Sequence, residues 1–131
     1  MPLPDSAIHA CLDALGCNGP DRQLGVSLTP ITVSPTGLSG ISEPTVDWYA
    51  RVDVPASQWA PASARLAQTT VVMPAPGPDA EDGGIAVAYF LTDGAGVPEL
   101  PFSVGGDGGV PLTAGTSPIV FTPRLPAPFT A

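Results

Sequence analysis

The first hydrophobic pattern in the chain has the period of a helix. Within residues 5–15 the apolar side chains recur every three or four positions, at Ile8, Cys11, Leu12 and Leu15. Asp5 or Ser6 can cap the start of this helix and Gly16 its end. The apolar face is too narrow for an independent helix, so we expect it to pack on a sheet or on another subunit.

From residue 24 onward the pattern changes to the alternation of β-strands. Leu24, Val26 and Leu28 alternate with small or polar residues, which predicts a first strand. The apolar run at residues 85–91, flanked by glycines, predicts the central strand of a sheet. Residues 34–44 are rich in Ser, Gly, Thr and Pro, and we expect a long exposed loop that is a candidate contact region. Further strands are predicted at residues 48–54, 68–73, 100–104 and 119–121.

Composition supports a β fold. The 131 residues include 18 Pro and 15 Gly, scattered throughout, and proline excludes long helices because it lacks the backbone donor. The length fits one domain. We therefore predict a mostly β chain: one short N-terminal helix at residues 5–15, a small β-sandwich or barrel at residues 24–122, and an extended proline-rich tail at residues 123–131.

The charge balance is strongly acidic. Four Arg and no Lys stand against 12 acidic residues, a net charge of −8. Binding to nucleic acid or to an anionic membrane requires clustered cations, so neither is an expected partner. The chain shows no basic start followed by an apolar core and no apolar run near 20 residues, so we expect neither a signal peptide nor an anchor, and we expect synthesis in the cytosol.

Reactive side chains are few. His9 is the one histidine, and no catalytic signature surrounds it, so we predict a protein that is not an enzyme and needs no cofactor; a Ser/His/Asp site using His9 is the enzymatic alternative. Cys11 and Cys17 could pair or join His9 on a metal, but a second cysteine pair for zinc is missing and the cytosol is reducing, so free thiols are expected.

Two polar loops resemble ligand loops superficially. Asp79, Glu81 and Asp82 look like the start of a calcium loop, but its twelfth position is Phe90 where a bidentate Glu is required. We predict an acidic turn there. The glycine loop at residues 105–109 has no Lys and no helix after it, so we predict a turn and not a phosphate site.

Large aromatic and arginine side chains are the candidate contact residues. Trp48 and Trp59 would in the simplest interpretation fill the core, although one of them could anchor an interface. On the predicted strand, Tyr49 and Arg51 lie on the face opposite Trp48 and are the better contact candidates. The tail contains a PxxP match and an apolar ring, and we expect it to pack on a neighbouring copy through Arg124, Leu125 and Phe129.

The order of segments resembles a group of small tail-fibre-like and head-decoration proteins of tailed bacteriophages that infect high-GC bacteria. The resemblance runs through the helix at residues 7–15, LGVSLT at 24–29, SEP at 42–44, YARVDV at 49–54, WAPAS at 59–63, VMP at 72–74, YFLTDG at 89–94 and LTAGTSPIVF at 112–121. The proline-rich C-terminal segment at residues 123–131 departs from this resemblance.

The resemblance implies a β-sandwich virion component that acts by binding. The leading hypothesis is a decoration protein on the outer face of the capsid, which contacts the major capsid protein and other copies of itself as a trimer and stabilises the shell. One alternative is a tail-fibre or tail-tip subunit that contacts other tail proteins and the host surface. Another is a carbohydrate-binding module that uses Trp59 or Tyr49.

Overall fold

The computed structural model describes residues 4–104, 109–114 and 118–126. Within them lie helix α1 (Asp5–Leu15), a 3-10 turn (Ala56–Gln58) and short strands. The strands are β1 (Arg22–Ser27), β2 (Thr32–Ser34), β3 (Gly37–Ser39), β4 (Val52–Val54), β5 (Leu66–Gln68), β6 (Val71–Met73), β7 (Ile85–Ala86), β8 (Ala88–Thr92), β9 (Pro98–Ser103), β10 (Val110–Pro111), β11 (Ile119–Phe121) and β12 (Arg124–Pro126). The mostly β class and the helix bounds are as predicted.

A four-stranded antiparallel sheet forms one layer, in the order β4-β1-β8-β9. Its central strand β8 lies in the apolar run that predicted a core strand, and all five of its residues are buried. The register places Leu24 opposite Leu91 and Val26 opposite Tyr89. Because opposite residues of an antiparallel pair share a face, these side chains form the apolar inner face of the sheet.

The second layer is a single antiparallel ribbon of residues 66–73 and 119–126. Strand β5 pairs with β12, and β6 pairs with β11, in the same register. Between the two pairs, the Thr69 amide donates to the Pro123 carbonyl at 3.2 Å and continues that register. The regular ladder is interrupted there because Pro123 has no amide hydrogen. The start of the proline-rich tail is therefore extended, as predicted, and belongs to this layer.

The two layers share one core and form a small β-sandwich. The Tyr89 ring of the sheet lies 4.9 Å from that of Phe102 and 4.8 Å from that of Phe121 in the ribbon. Inward residues of the ribbon complete the core, namely Ala67, Val71, Met73, Ile119 and Phe121. Burial of these apolar surfaces is the main stabilising contribution, about 25 cal/mol per Å².

Helix α1 packs on this core through Ile8 and Leu12, which are buried. Cys11 is exposed, so the buried face is narrower than the helical spacing predicted. Gly16 caps the end of the helix as predicted, with its amide 3.0 Å from the Leu12 carbonyl, whereas the N-cap is Pro4 and neither predicted side chain caps the start. The buried Arg22 guanidinium donates to the Leu15 carbonyl at 3.1 Å and attaches the helix end to the sheet.

Two predicted elements differ in extent. Residues 34–44, expected to be a loop, contribute to the exposed β2-β3 hairpin. The strand expected at residues 48–54 is reduced to β4, because the Tyr49 hydroxyl, and not a strand backbone, accepts the Val26 amide at 3.1 Å. Among the described residues no helix is long and apolar enough to span a membrane.

Candidate interaction surface

The ribbon presents one side of its alternating residues to solvent. Within residues 67–73 and 119–124, the odd-numbered positions point into the core and the even-numbered positions point outward. We call the outward set the ribbon face. It consists of Gln68, Thr70, Val72, Val120, Thr122 and Arg124, all of them exposed.

Two valines form the apolar part of the ribbon face. Val72 and Val120 lie directly opposite each other in the β6-β11 register and are 51% and 59% exposed. Their side chains therefore touch across the strands and form one patch in place of two isolated residues. Beside the patch, a shallow cavity of about 560 Å³ is lined by Gln58, Ala60, Gln68, Thr69, Thr70, Thr122 and Arg124.

The ribbon lies in the part of the chain that has no acidic residues. All 12 Asp and Glu fall within residues 5–53 and 79–107, whereas residues 54–78 and 108–131 contain none. These two acid-free segments supply both strands of the ribbon. The ribbon face consequently carries one charged side chain, Arg124, on a protein whose net charge is −8.

Comparisons with known proteins found no match to this chain. No protein-family model, no curated protein and no solved structure matches it. The arguments about function therefore rest on the residues themselves.

The three tail residues that the sequence predicted as contacts do not lie together on one surface. Arg124 lies on the ribbon face and is exposed. Leu125, one position later, points to the opposite side and packs against the core. Phe129 lies outside the described residues. Of the three, Arg124 is placed on the candidate interaction surface.

Tyr49 and Arg51, the other predicted contacts, meet on the carboxylate of Glu43. The Tyr49 hydroxyl donates to Glu43 Oε1 at 2.7 Å, and Arg51 donates to both carboxylate oxygens at 3.0 Å. Burial and the bond to Glu43 raise the pKa of Tyr49. Partial burial alone would raise the pKa of Glu43, but the bonds from Arg51 and Tyr49 outweigh it and hold that pKa below its ordinary value.

The two tryptophans occupy interior and intermediate positions. Trp59 is 3% exposed and packs beside Gly16, in agreement with the simpler interpretation that it fills the core. Trp48 is half-buried, and its indole nitrogen donates to the Glu81 carbonyl at 2.7 Å. A glycan could not stack on Trp59 without displacing it from the core.

The residues weighed as catalytic or metal-binding have local structural contacts. His9 Nε2 accepts the Arg65 amide at 3.0 Å, and Asp82 Oδ1 accepts the Gly84 amide at 2.8 Å within the acidic turn. Cys11 and Cys17 are free thiols. Within the part of the chain that the structure describes, no group of three or more His, Cys, Asp or Glu is placed to hold a metal.

The sequence patterns did not single out most of the ribbon face. Residues 68–73 and 119–121 were predicted as strands, but nothing in their patterns indicated that they pair. The available signal was the charge distribution, because both strands of the ribbon come from segments without acidic residues.

Proposed function

We propose that the protein is a non-enzymatic structural component of a tailed-bacteriophage particle, a head-decoration protein on the outer face of the capsid. The observation that carries this proposal is the ribbon face, an exposed β-surface without acidic side chains and with a central valine pair. Exposed apolar patches flanked by polar residues are typical of contact surfaces between proteins.

The charge distribution supports a role on the outside of a particle. All 12 acidic side chains lie outside the ribbon strands, and the resulting net charge of −8 favours solubility and disfavours contact with packaged nucleic acid. Neighbours in such a shell would be the major capsid protein and other copies of this chain, arranged as trimers. Many weak contacts in a symmetric array then add up to stable attachment.

Copy number tests this proposal. Quantitative mass spectrometry of purified particles would compare this chain with the major shell protein. Hundreds of copies per particle, on the order expected for a symmetric shell, would support decoration. A few to tens of copies would favour the tail-fibre or tail-tip alternative, and complete absence from particles would refute a virion role.

A further inference from the structure

We infer that the ribbon face is a contact between two copies of this chain that belong to adjacent trimers, related by a twofold axis that passes near the Val72–Val120 pair. This inference rests on the proposed function, because it names another copy of this chain as the neighbour that the ribbon face contacts on the particle. The argument uses the charge, the side-chain chemistry and the size of that face.

Charge permits contact between copies at this face, whose six side chains include no carboxylate. Two molecules of net charge −8 repel each other, and repulsion is weakest when the acidic residues are kept farthest apart. Contact through the ribbons brings together the two acid-free parts of the chain. A partner with a strongly acidic surface would meet one Arg124 here, which is a small attraction by comparison.

The side chains are compatible with their own copies. A twofold axis at the valine pair places Val72 and Val120 against the same residues of the other molecule and removes their half-exposed surface from water. The hydroxyls of Thr70 and Thr122 can both donate and accept, so they suit either an equivalent hydroxyl or a bridging water.

The arginines stay apart in this arrangement. Arg124 lies four positions from Val120 on the same strand, a distance of about 13 Å at the usual rise per residue. With the axis in the plane of the contact and perpendicular to the strands, the two Arg124 side chains lie on opposite sides of it, about 26 Å apart. Screening at physiological salt acts over about 8 Å, so their mutual repulsion is negligible.

The size of the ribbon face predicts a weak contact in solution. Its strands span residues 66–73 and 119–126, which corresponds to about 26 Å by 10 Å. That is well below the roughly 800 Å² per partner of a stable interface. Isolated molecules should therefore associate reversibly and only at high concentration, whereas copies held side by side on a particle would be in contact.

Sedimentation equilibrium of the full chain tests the inference, over protein concentrations from about 10 μM to about 1 mM. We expect a reversible monomer–dimer equilibrium that strengthens when salt is raised from about 0.15 M to about 1 M, because salt screens the repulsion of the acidic parts. Val72→Asp and Val120→Asp should each weaken dimerisation at least about tenfold, because they place charge in the apolar centre.

Matched controls are Val33→Asp and Val97→Asp. Val33 and Val97 are 65% and 57% exposed and lie outside the ribbon, so these variants add the same charge elsewhere. They should dimerise like the unchanged protein, apart from a small effect of net charge. Circular dichroism melting of all four variants establishes that each is folded, so that a loss of dimer reports the contact itself.

Disulfide trapping gives a second measurement. In a background with Cys11→Ser and Cys17→Ser, Val120→Cys should form an intermolecular disulfide under mild oxidation, and Val97→Cys should not. Equal loss of dimer in ribbon and control variants, or a monomer at every concentration without trapping, would overturn the inference. Either result leaves the particle copy number unaffected, so failure here is distinguishable from failure of the proposed function.

Discussion

Arg51 binds both carboxylate oxygens of Glu43, with Nε 3.0 Å from Oε1 and Nη2 3.0 Å from Oε2. The same guanidinium donates through Nη1 to the Gly96 carbonyl at 2.8 Å and lies 5.2 Å from the centre of the Phe90 ring. This pair thus connects the chain before β4 to the turn between β8 and β9. It also covers the outer face of the sheet above Phe90.

Replacement of Glu43 tests how much the Glu43–Arg51 pair contributes to the free energy of unfolding. Glu43→Gln should lower the free energy of unfolding at neutral pH by about 1–3 kcal/mol, since it leaves the Arg51 guanidinium without its carboxylate. The folded-state pKa of Glu43 lies below its ordinary value of 4.5. The stabilisation from the ionised carboxylate is therefore present above pH 4.5 and is lost as the pH falls through the folded-state pKa.

The check is urea unfolding from pH about 7 to about 3. The pH dependence of the unchanged protein should include this loss, and that of Glu43→Gln should lack it. Glu81→Gln, at an exposed position, is the control and should keep the full dependence. Identical pH profiles for the unchanged protein and Glu43→Gln would contradict the prediction.

Removal of the Tyr49 hydroxyl should destabilise the protein. The Tyr49 hydroxyl accepts the amide of Val26, a residue that is fully buried. Tyr49→Phe leaves that donor unsatisfied, also removes the bond to Glu43, and should cost about 1–3 kcal/mol. Tyr89→Phe is the matched control, because the Tyr89 hydroxyl has no hydrogen-bond partner among the described residues. Chemical denaturation of both variants measures the difference, and equal losses would argue against the role of the bond.

Gly25 and Phe90 should be energetically coupled. They lie opposite each other in the β1-β8 register, and a Cβ at Gly25 would overlap the tip of the Phe90 ring. Gly25→Ala should therefore cost about 1–3 kcal/mol by overpacking. Gly77→Ala, where a Cβ meets open space, should change stability little. In a double-mutant cycle, Phe90→Leu should reduce the cost of Gly25→Ala, and strict additivity would contradict the clash.

A tight turn should become more stable with glycine. Ser63 and Leu66 exchange two backbone hydrogen bonds of 3.0 Å around Ala64 and Arg65, whose φ angles are 50° and 62°. Alanine is strained in this left-handed region. Ala64→Gly should raise the midpoint of thermal unfolding, by a gain of up to about 1 kcal/mol. Ala75→Gly, at an exposed alanine with ordinary φ, should lower it or leave it unchanged.

Two truncations should separate the ribbon from the residues after it. Removal of residues 123–131 deletes β12 and the fully buried Pro123, so it should destabilise the domain by several kcal/mol. Removal of residues 127–131 keeps every ribbon pair and should have a much smaller effect on thermal unfolding. Similar melting temperatures for the two truncated chains would show that β12 contributes little to the core.

The sequence by itself determined the secondary-structure type of the main segments. Helical spacing at residues 5–15 and alternation at the strands are local patterns, and they predicted the helix, the central strand and a mostly β domain. Abundant proline and glycine excluded long helices. The inward role of Trp59 was also the simpler prediction, because large apolar rings are usually buried.

Only the tertiary structure decided which strands are neighbours and which side chains remain outside. Alternation marks two faces on each strand but does not say which face is covered or which distant segment pairs with it. Val72 and Val120 become one patch because two residues 48 positions apart lie opposite each other in the strand register. Tyr49 and Arg51 turn to Glu43 because a partly buried carboxylate needs donors, a requirement that arises when the loop closes on the sheet.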